Sequence, residues 1–132
     1  MKISKTTQAV FENLLKDLVE KAQGLEAATI SSIDGFQIAA VLPESKSVGK
    51  MAAMSSSLHA LGHAIAREAK RGTCRQLVVQ STEGCIVVLE IPQQNPPLLL
   101  NLITQNGIDL SRLLEVAELC AERLAAKLEL TK

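Results

Sequence analysis

Two histidines, His59 and His63, stand four residues apart in the run KMAAMSSSLHALGHAIARE, the spacing at which two imidazoles on one helix can share a metal ion. The zinc-protease form of this motif places Glu directly after the first His. Here Ala60 holds that position, and the sequence offers no third ligand. The expectation is two partner-facing or solvated histidines and no metal site. Gly49-Lys50 has the ending of a phosphate loop, but Met51 stands where Ser or Thr would hold magnesium, and the motif's first position is Glu44 instead of Gly. Ser55, Ser56 and Ser57 lie inside a helical pattern without a GxSxG elbow, so packing explains them better than nucleophilic catalysis. Cys74, Cys85 and Cys120 are odd in number and contain no CxxC pair, which sets aside a zinc knuckle or a thioredoxin-like dithiol. Buried, reduced thiols of a cytosolic protein are expected. The carboxylates are spread over solvated helix faces, and Asp34 reads as a turn residue. No catalytic residue, cofactor or metal ligand is assigned, and the chain reads as a non-enzyme.

Composition narrows the class further. The 132 residues suit one domain spanning 1–132, and 47% hydrophobic against 21% charged residues is enough for a true core. Lys+Arg and Asp+Glu both number 14, so the basic footprint of a nucleic-acid binder is missing. Phe11 and Phe36 are the only aromatic residues, which leaves no base-stacking platform. The start MKISKTTQAV lacks the apolar segment of a signal peptide, and no run approaches a membrane span, so a cytoplasmic location is expected. A neutral aliphatic domain of this kind is suited to meeting another protein.

The elements that position these residues follow from periodicity. Thr6 to Gln23 keeps Phe11, Leu14, Leu15, Leu18 and Ala22 at helical spacing, supports them with Glu12–Lys16 and Asp17–Lys21 pairs, and ends at Gly24. Glu26 to Leu42 reads as two strands around Asp34-Gly35, a hairpin signal in which both turn residues take φ > 0. Phe36, Ile38, Ala40 and Leu42 would share one face of the second strand. Lys46 to Arg71 is the long helix, capped by Ser45 or Ser47. It carries an apolar stripe of Met51, Met54, Leu58, Leu61 and Ile65, and beside it a stripe of small side chains. The small stripe comprises Ala52, Ser55, Ser56, Gly62 and Ala66, with His59 among them. We expect the first stripe to cover the domain's own sheet and the second to admit a partner helix. Two further strands flank Glu83-Gly84, and Cys85, Val87, Leu89 and Ile91 oppose Ile86 and Val88, so that strand needs cover on both faces. LLLNLIT after the PQQNPP linker is a fifth strand. Asp109 or Ser111 then caps a last helix buried through Leu110, Leu113, Leu114, Ala117, Ala121, Leu124 and Leu128.

The segments GLEAATISSIDGFQIAA, ALGHAIARE, QLVVQSTEGCIVVLEI and LLLNLITQNGIDLSRLLEVAELCAERLAAKL, in this order, resemble the roadblock family. That family comprises the small domains related to dynein light-chain roadblock and to the bacterial gliding-motility GTPase regulators. The resemblance covers Phe11 to Leu128. It implies an α+β fold of order α-β-β-α-β-β-β-α, a five-stranded antiparallel sheet with the long helix on one face and the terminal helices on the other. It also implies a homodimer in which third strands pair edge to edge and long helices lie antiparallel, carried here by Cys74–Gln80 and Ala52–Ala66. The interface residues so implied are Ala52, Ser55, Ser56, His59, Gly62, Ala66, Arg75, Leu77, Val78 and Val79. The family further implies a Ras-like small GTPase as partner, docked on the helix pair without an inserted catalytic arginine, which points to Lys50, His63, Arg67, Lys70 and Arg71.

The expected function is a non-enzymatic homodimeric regulator or scaffold of a small GTPase, with stimulation of GTP hydrolysis left open. The rival is a small-ligand-sensing or adaptor domain with no GTPase partner, for which Asn101 and Thr104 are the candidate buried polar groups of the fifth strand.

Overall fold

The computed structural model describes residues 4–42 and 49–131. In chain order the elements are α1 (Lys5–Lys21), β1 (Leu25–Ser32), β2 (Gln37–Val41), α2 (Gly49–Glu68), β3 (Gln76–Ser81), β4 (Gly84–Ile91), β5 (Leu98–Thr104) and α3 (Leu110–Thr131). The five strands form one antiparallel sheet, as the resemblance implies, and their order in it is β2-β1-β5-β4-β3.

Helix α1 starts where Ser4 Oγ accepts from the Thr7 amide at 3.1 Å, satisfying one of the first-turn donors. It stops at Lys21 with Ala22 as C-cap, two residues short of the expected end, and Gly24 sits in the turn that follows. Of the two expected ion pairs, Asp17–Lys21 closes at 3.0 Å, while Glu12 accepts from Gln8. At the other end of the chain, Asp109 Oδ1 accepts from the Ser111 amide at 3.0 Å and caps α3.

Register explains the two-sided strands. Ala28 pairs with Leu102, Ile30 with Leu100, and Leu100 with Leu89, so these side chains share one face. That face, with Val87, Ile91 and Leu98, joins Phe11 and Leu15 of α1 and Leu113, Ala117, Ala121, Leu124 and Leu128 of α3 in one buried core. The alternate residues, Thr29, Ser31, Val88, Glu90, Leu99 and Asn101, turn to the opposite face, where α2 lies. β5 is thus buried on both sides, which is why it reads as a continuous apolar run.

Two local expectations change. At the β1–β2 hairpin only Gly35 has a positive φ, 96°, so Asp34 does not share the left-handed conformation. The Gly35 amide donates to Ser32 O (3.1 Å) and the Phe36 amide to Ser32 Oγ (3.0 Å), a three-residue loop with glycine at its left-handed position. A hydrogen bond from Ser32 holds the Asp34 carboxyl below its ordinary pKa. The loop's extra residue and the bulge after Ile30 shift the face of β2: Ala39 is buried, Ile38 and Val41 pack on the core, and Phe36 is exposed. The expected caps Ser45 and Ser47 lie outside the described residues.

Candidate functional site

The long helix sits on the sheet by the stripe of small side chains, beside the one its hydrophobicity suggests. Ala52, Ser55, His59 and Gly62 are buried, Ser56 and Ala66 half-buried, and the Ser56 hydroxyl donates to Ile33 O. Met54, Leu61 and Ile65 instead leave 66%, 57% and 59% of their surface in solvent, while Met51 and Leu58 are half-buried beside them. The reason is steric. A helix lying directly on a sheet needs short side chains at the contact line, and Leu77 of β3 fills the space that Gly62 leaves. The small stripe is therefore the helix's inner face, and the partner-accessible apolar surface is the Met54–Leu61–Ile65 line.

The residues expected at a strand-to-strand interface divide similarly. β3 is an edge strand. Leu77 points under α2, Val78 packs on the α1/α3 core, and only Val79, 40% exposed, offers an open aliphatic side chain. Arg75 is largely exposed, with its guanidinium meeting Glu118 of α3 at 2.5 Å, and Gln76 donates to the same carboxylate at 2.8 Å.

Among the expected partner residues, Lys50, Arg67, Lys70 and Arg71 are exposed and His63 is half-buried. The helix ends at Glu68, not at Arg71. The Lys70 amide donates to Arg67 O (3.0 Å) and the Arg71 amide to Ala66 O (2.8 Å), with Lys70 at φ 58°. This is the Schellman closure, with lysine where glycine is usual. Lys70 and Arg71 thus project from the cap, beyond the helix cylinder.

Beneath the helix the structure supplies what the sequence lacked, a third ligand-type atom beside the histidine pair. Glu90 of β4 places Oε2 3.5 Å from His59 Nε2 and 3.6 Å from His63 Nε2, and the two Nε2 atoms lie 3.1 Å apart. The His59 side chain is 8% exposed, His63 24% and Glu90 40%. The signal was present in CIVVLEI: Glu90 shares a strand face with Ile86 and Val88, the face that the helix covers. The distance along the chain hid its partners.

The buried polar groups of β5 differ from each other. Thr104 Oγ1 accepts from the Cys85 amide and donates to Gln105 O, both at 3.1 Å, so it is satisfied within the chain. Asn101 donates to Thr29 Oγ1 (2.9 Å) and Ser31 Oγ (3.1 Å), while its Oδ1 has no partner. Neither lines the groove of about 690 Å³ between α1 and α3, which is floored by residues such as Leu14, Leu18 and Val116 and edged by Lys21, Arg112 and Arg123. Of the thiols, only Cys120 is buried; Cys74 and Cys85 are partly exposed. Burial pushes the Cys120 thiol up to about 11, despite the opposing pull of Arg123. Among the described residues no helix is long and apolar enough to cross a membrane.

Comparison with solved structures places this architecture among known ones. A Roadblock/LC7 domain from Streptomyces avermitilis superposes with a TM-score of 0.78 at 22% identity, covering 89% of this chain and 97% of that one. MglB from Myxococcus xanthus gives 0.83 at 10% identity over 98% and 94% of the two chains. The gliding protein MglB from Thermus thermophilus gives 0.80 at 16% identity over 94% and 92%. Comparison with curated protein sequences finds no match. The sequence profile of the Roadblock/LC7 domain matches residues 11–93, most of the chain, from the core phenylalanine of α1 through the end of β4. The chain belongs to the Roadblock/LC7 domain family.

Proposed function

We propose that this protein is a non-enzymatic, cytoplasmic, homodimeric regulator or scaffold of a Ras-like small GTPase, which docks on a pair of α2 helices. The observation that carries the reading is the exposed line Met54, Leu61 and Ile65 on α2, on the same side of the sheet as Val79 of the edge strand β3. Fully burying one such side chain contributes about 1.5–3 kcal/mol, so covering the line against its symmetry mate gives a strong drive to associate. An unpaired aliphatic edge strand invites the same second copy. The dimer contact on α2 is accordingly assigned to Met54, Leu61 and Ile65, with Val79 and the β3 backbone at the strand edge. The buried small stripe supports α2 from within.

The roadblock resemblance supports a small GTPase as the partner. Lys50, Arg67, Lys70 and Arg71 form the charged surface at the two ends of α2 and steer association. Any stimulation of hydrolysis would act by ordering the GTPase's own switch segments around water and metal. The groove between α1 and α3 is the one observation that favours the ligand-sensing alternative; it is remote from α2 and compatible with a second role.

Light scattering after size exclusion tests the assembly. The wild type should run as a dimer at micromolar concentration and the Leu61→Glu, Ile65→Glu double variant as a folded monomer. A monomeric wild type defeats the homodimer. Pull-down with a small GTPase encoded beside this chain, loaded with GTP analogue or GDP, tests the partner. Preference for the GTP form supports a regulator, and equal binding supports a passive scaffold. No binding in either state removes the GTPase reading. In single-turnover hydrolysis, Ala at Arg67, Lys70 or Arg71 should slow association modestly. A hundredfold loss from any one would mean an inserted finger.

A further inference from the structure

We propose that His59, His63 and Glu90 form a binding site for one divalent transition-metal ion, zinc by ligand chemistry, which fastens α2 to β4. The proposal does not depend on the GTPase reading. Its basis is convergence: one atom from each side chain, His59 Nε2, His63 Nε2 and Glu90 Oε2, meets at a single locus, all within 4.8 Å of one another.

The separations match a coordination polyhedron. In a tetrahedral site with bonds of about 2.0–2.1 Å, neighbouring ligand atoms stand roughly 3.3 Å apart. The three separations here are 3.1, 3.5 and 3.6 Å. The centre of a triangle with these sides lies about 2.0 Å from each corner, already a Zn–N bond length. An ion about half an ångström out of that plane would complete bonds to all three with little side-chain movement. A shallow offset of this kind is the geometry of one face of a tetrahedron.

Without an ion the same arrangement is poorly served. The carboxylate only accepts, and each neutral ring carries its one proton on Nε2 or Nδ1, so the tautomers decide whether His59 and His63 donate to each other or to Glu90. At 3.5 and 3.6 Å the contacts to Glu90 are longer than ordinary hydrogen bonds, whereas all three separations suit bonds to one ion. Glu90 also sits on the sheet face that α2 covers in part, with its side chain 40% exposed, so an ion can reach it from the solvent side. A divalent cation satisfies all three groups at once.

Ligand identity selects the class of ion. Calcium and magnesium take mostly oxygen ligands and six or more of them, so two imidazoles disfavour both. Two nitrogens and one carboxylate suit zinc, and also cobalt, nickel or copper. The partial exposure of His63 and Glu90, against the buried His59, leaves the fourth position on the solvent side, for water or a donor from a bound protein.

The consequence is mechanical. α2 rests on the sheet mainly through alanine, serine and glycine, and Met54, Leu61 and Ile65 face outward, so burial alone holds it lightly. A bond from one turn of α2 to β4 fixes the height and rotation of the helix that presents the exposed apolar line.

The test uses the full chain carrying Cys74→Ser and Cys85→Ser, which removes the accessible thiols as competing ligands. After chelator treatment and dialysis, zinc is titrated against a chromophoric competitor, and cobalt is added separately to read its visible d–d bands. The expected result is one ion per chain, the intense absorption of four-coordinate cobalt, and a higher melting temperature with zinc. His63→Ala and Glu90→Gln, at partly exposed positions, should each weaken zinc binding at least tenfold and abolish the cobalt bands while leaving the circular dichroism spectrum intact. Binding below half an ion per chain overturns the proposal. So does zinc affinity unchanged in both variants, which would place the ion elsewhere. If instead the metal-free Glu90→Gln protein melts lower and zinc raises neither protein's melting temperature, the three groups form a hydrogen-bonded cluster only, and the proposal fails.

Discussion

Gly62 on α2 lies directly over Leu77 on β3: a Cβ at position 62 would stand 2.6 Å from Leu77 Cδ2 and 3.0 Å from Cδ1. The pair sets how closely the helix approaches the sheet, and it makes Gly62 a packing residue within one chain. Gly62→Leu should therefore destabilise the fold itself. Overpacking typically costs about 1–3 kcal/mol, more than the roughly 1 kcal/mol recovered by removing a helical glycine. In urea unfolding, the lowered midpoint should persist at protein concentrations where assembly is complete, and adding Leu77→Ala should restore part of the loss. A raised midpoint for Gly62→Leu alone would show that the helix stands further from the sheet.

Gly84 should be the least replaceable glycine. It opens β4 at φ 146°, and a Cβ there would fall 2.0 Å from Thr104 O, a backbone atom that cannot turn aside. Gly84→Ala must displace the end of β5, a cost of about 3 kcal/mol or more. Gly107, at φ 85° with nothing within 4 Å, should lose only about 1–2 kcal/mol as Ala. Thermal melts of the two variants side by side check the order.

Lys70 offers a stabilising change. A side chain at φ 58° is strained, so Lys70→Gly should gain about 0.5–1 kcal/mol, or a few degrees in Tm. If the lysine also steers a GTPase, the same variant should bind it more slowly, separating the cap from the charge.

Alkaline stability should depend on Cys120. Burial raises its pKa to about 11 from an ordinary 9.0, so between these pH values the unfolded thiol ionises while the folded one keeps its proton. The unfolded state then binds fewer protons, and stability falls as pH rises through the window, by up to about 1.4 kcal/mol per unit. Cys120→Ala should flatten this part of the pH–stability profile under reducing conditions. An unchanged slope would assign it to other groups.

Much of the architecture is legible in the sequence. Near-continuous apolar runs in CIVVLEI and LLLNLIT mark strands covered on both faces, and the helical spacing of Phe11 and Leu15, and of Leu113, Ala117, Ala121 and Leu124, marks what covers one of them. Asp34-Gly35 announces a hairpin, and Asp109 a helix start. Local sequence also sufficed to set aside a phosphate loop and a nucleophile elbow, because both motifs need specific neighbours that Glu44, Met51 and the serine run do not supply.

Sequence alone determined the order of elements and the amphipathic period of each, because both arise from backbone geometry repeated over a few residues. Tertiary structure decided which stripe of α2 faces the sheet, because the hydrophobic period locates two faces without saying which one the available space admits. There the short side chains of Ala52, Ser55 and Gly62 prevailed over the hydrophobicity of Met54, Leu61 and Ile65. It also brought Glu90 to His59 and His63. Strand register aims that carboxylate at one turn of a helix distant along the chain, and no local pattern encodes such a meeting.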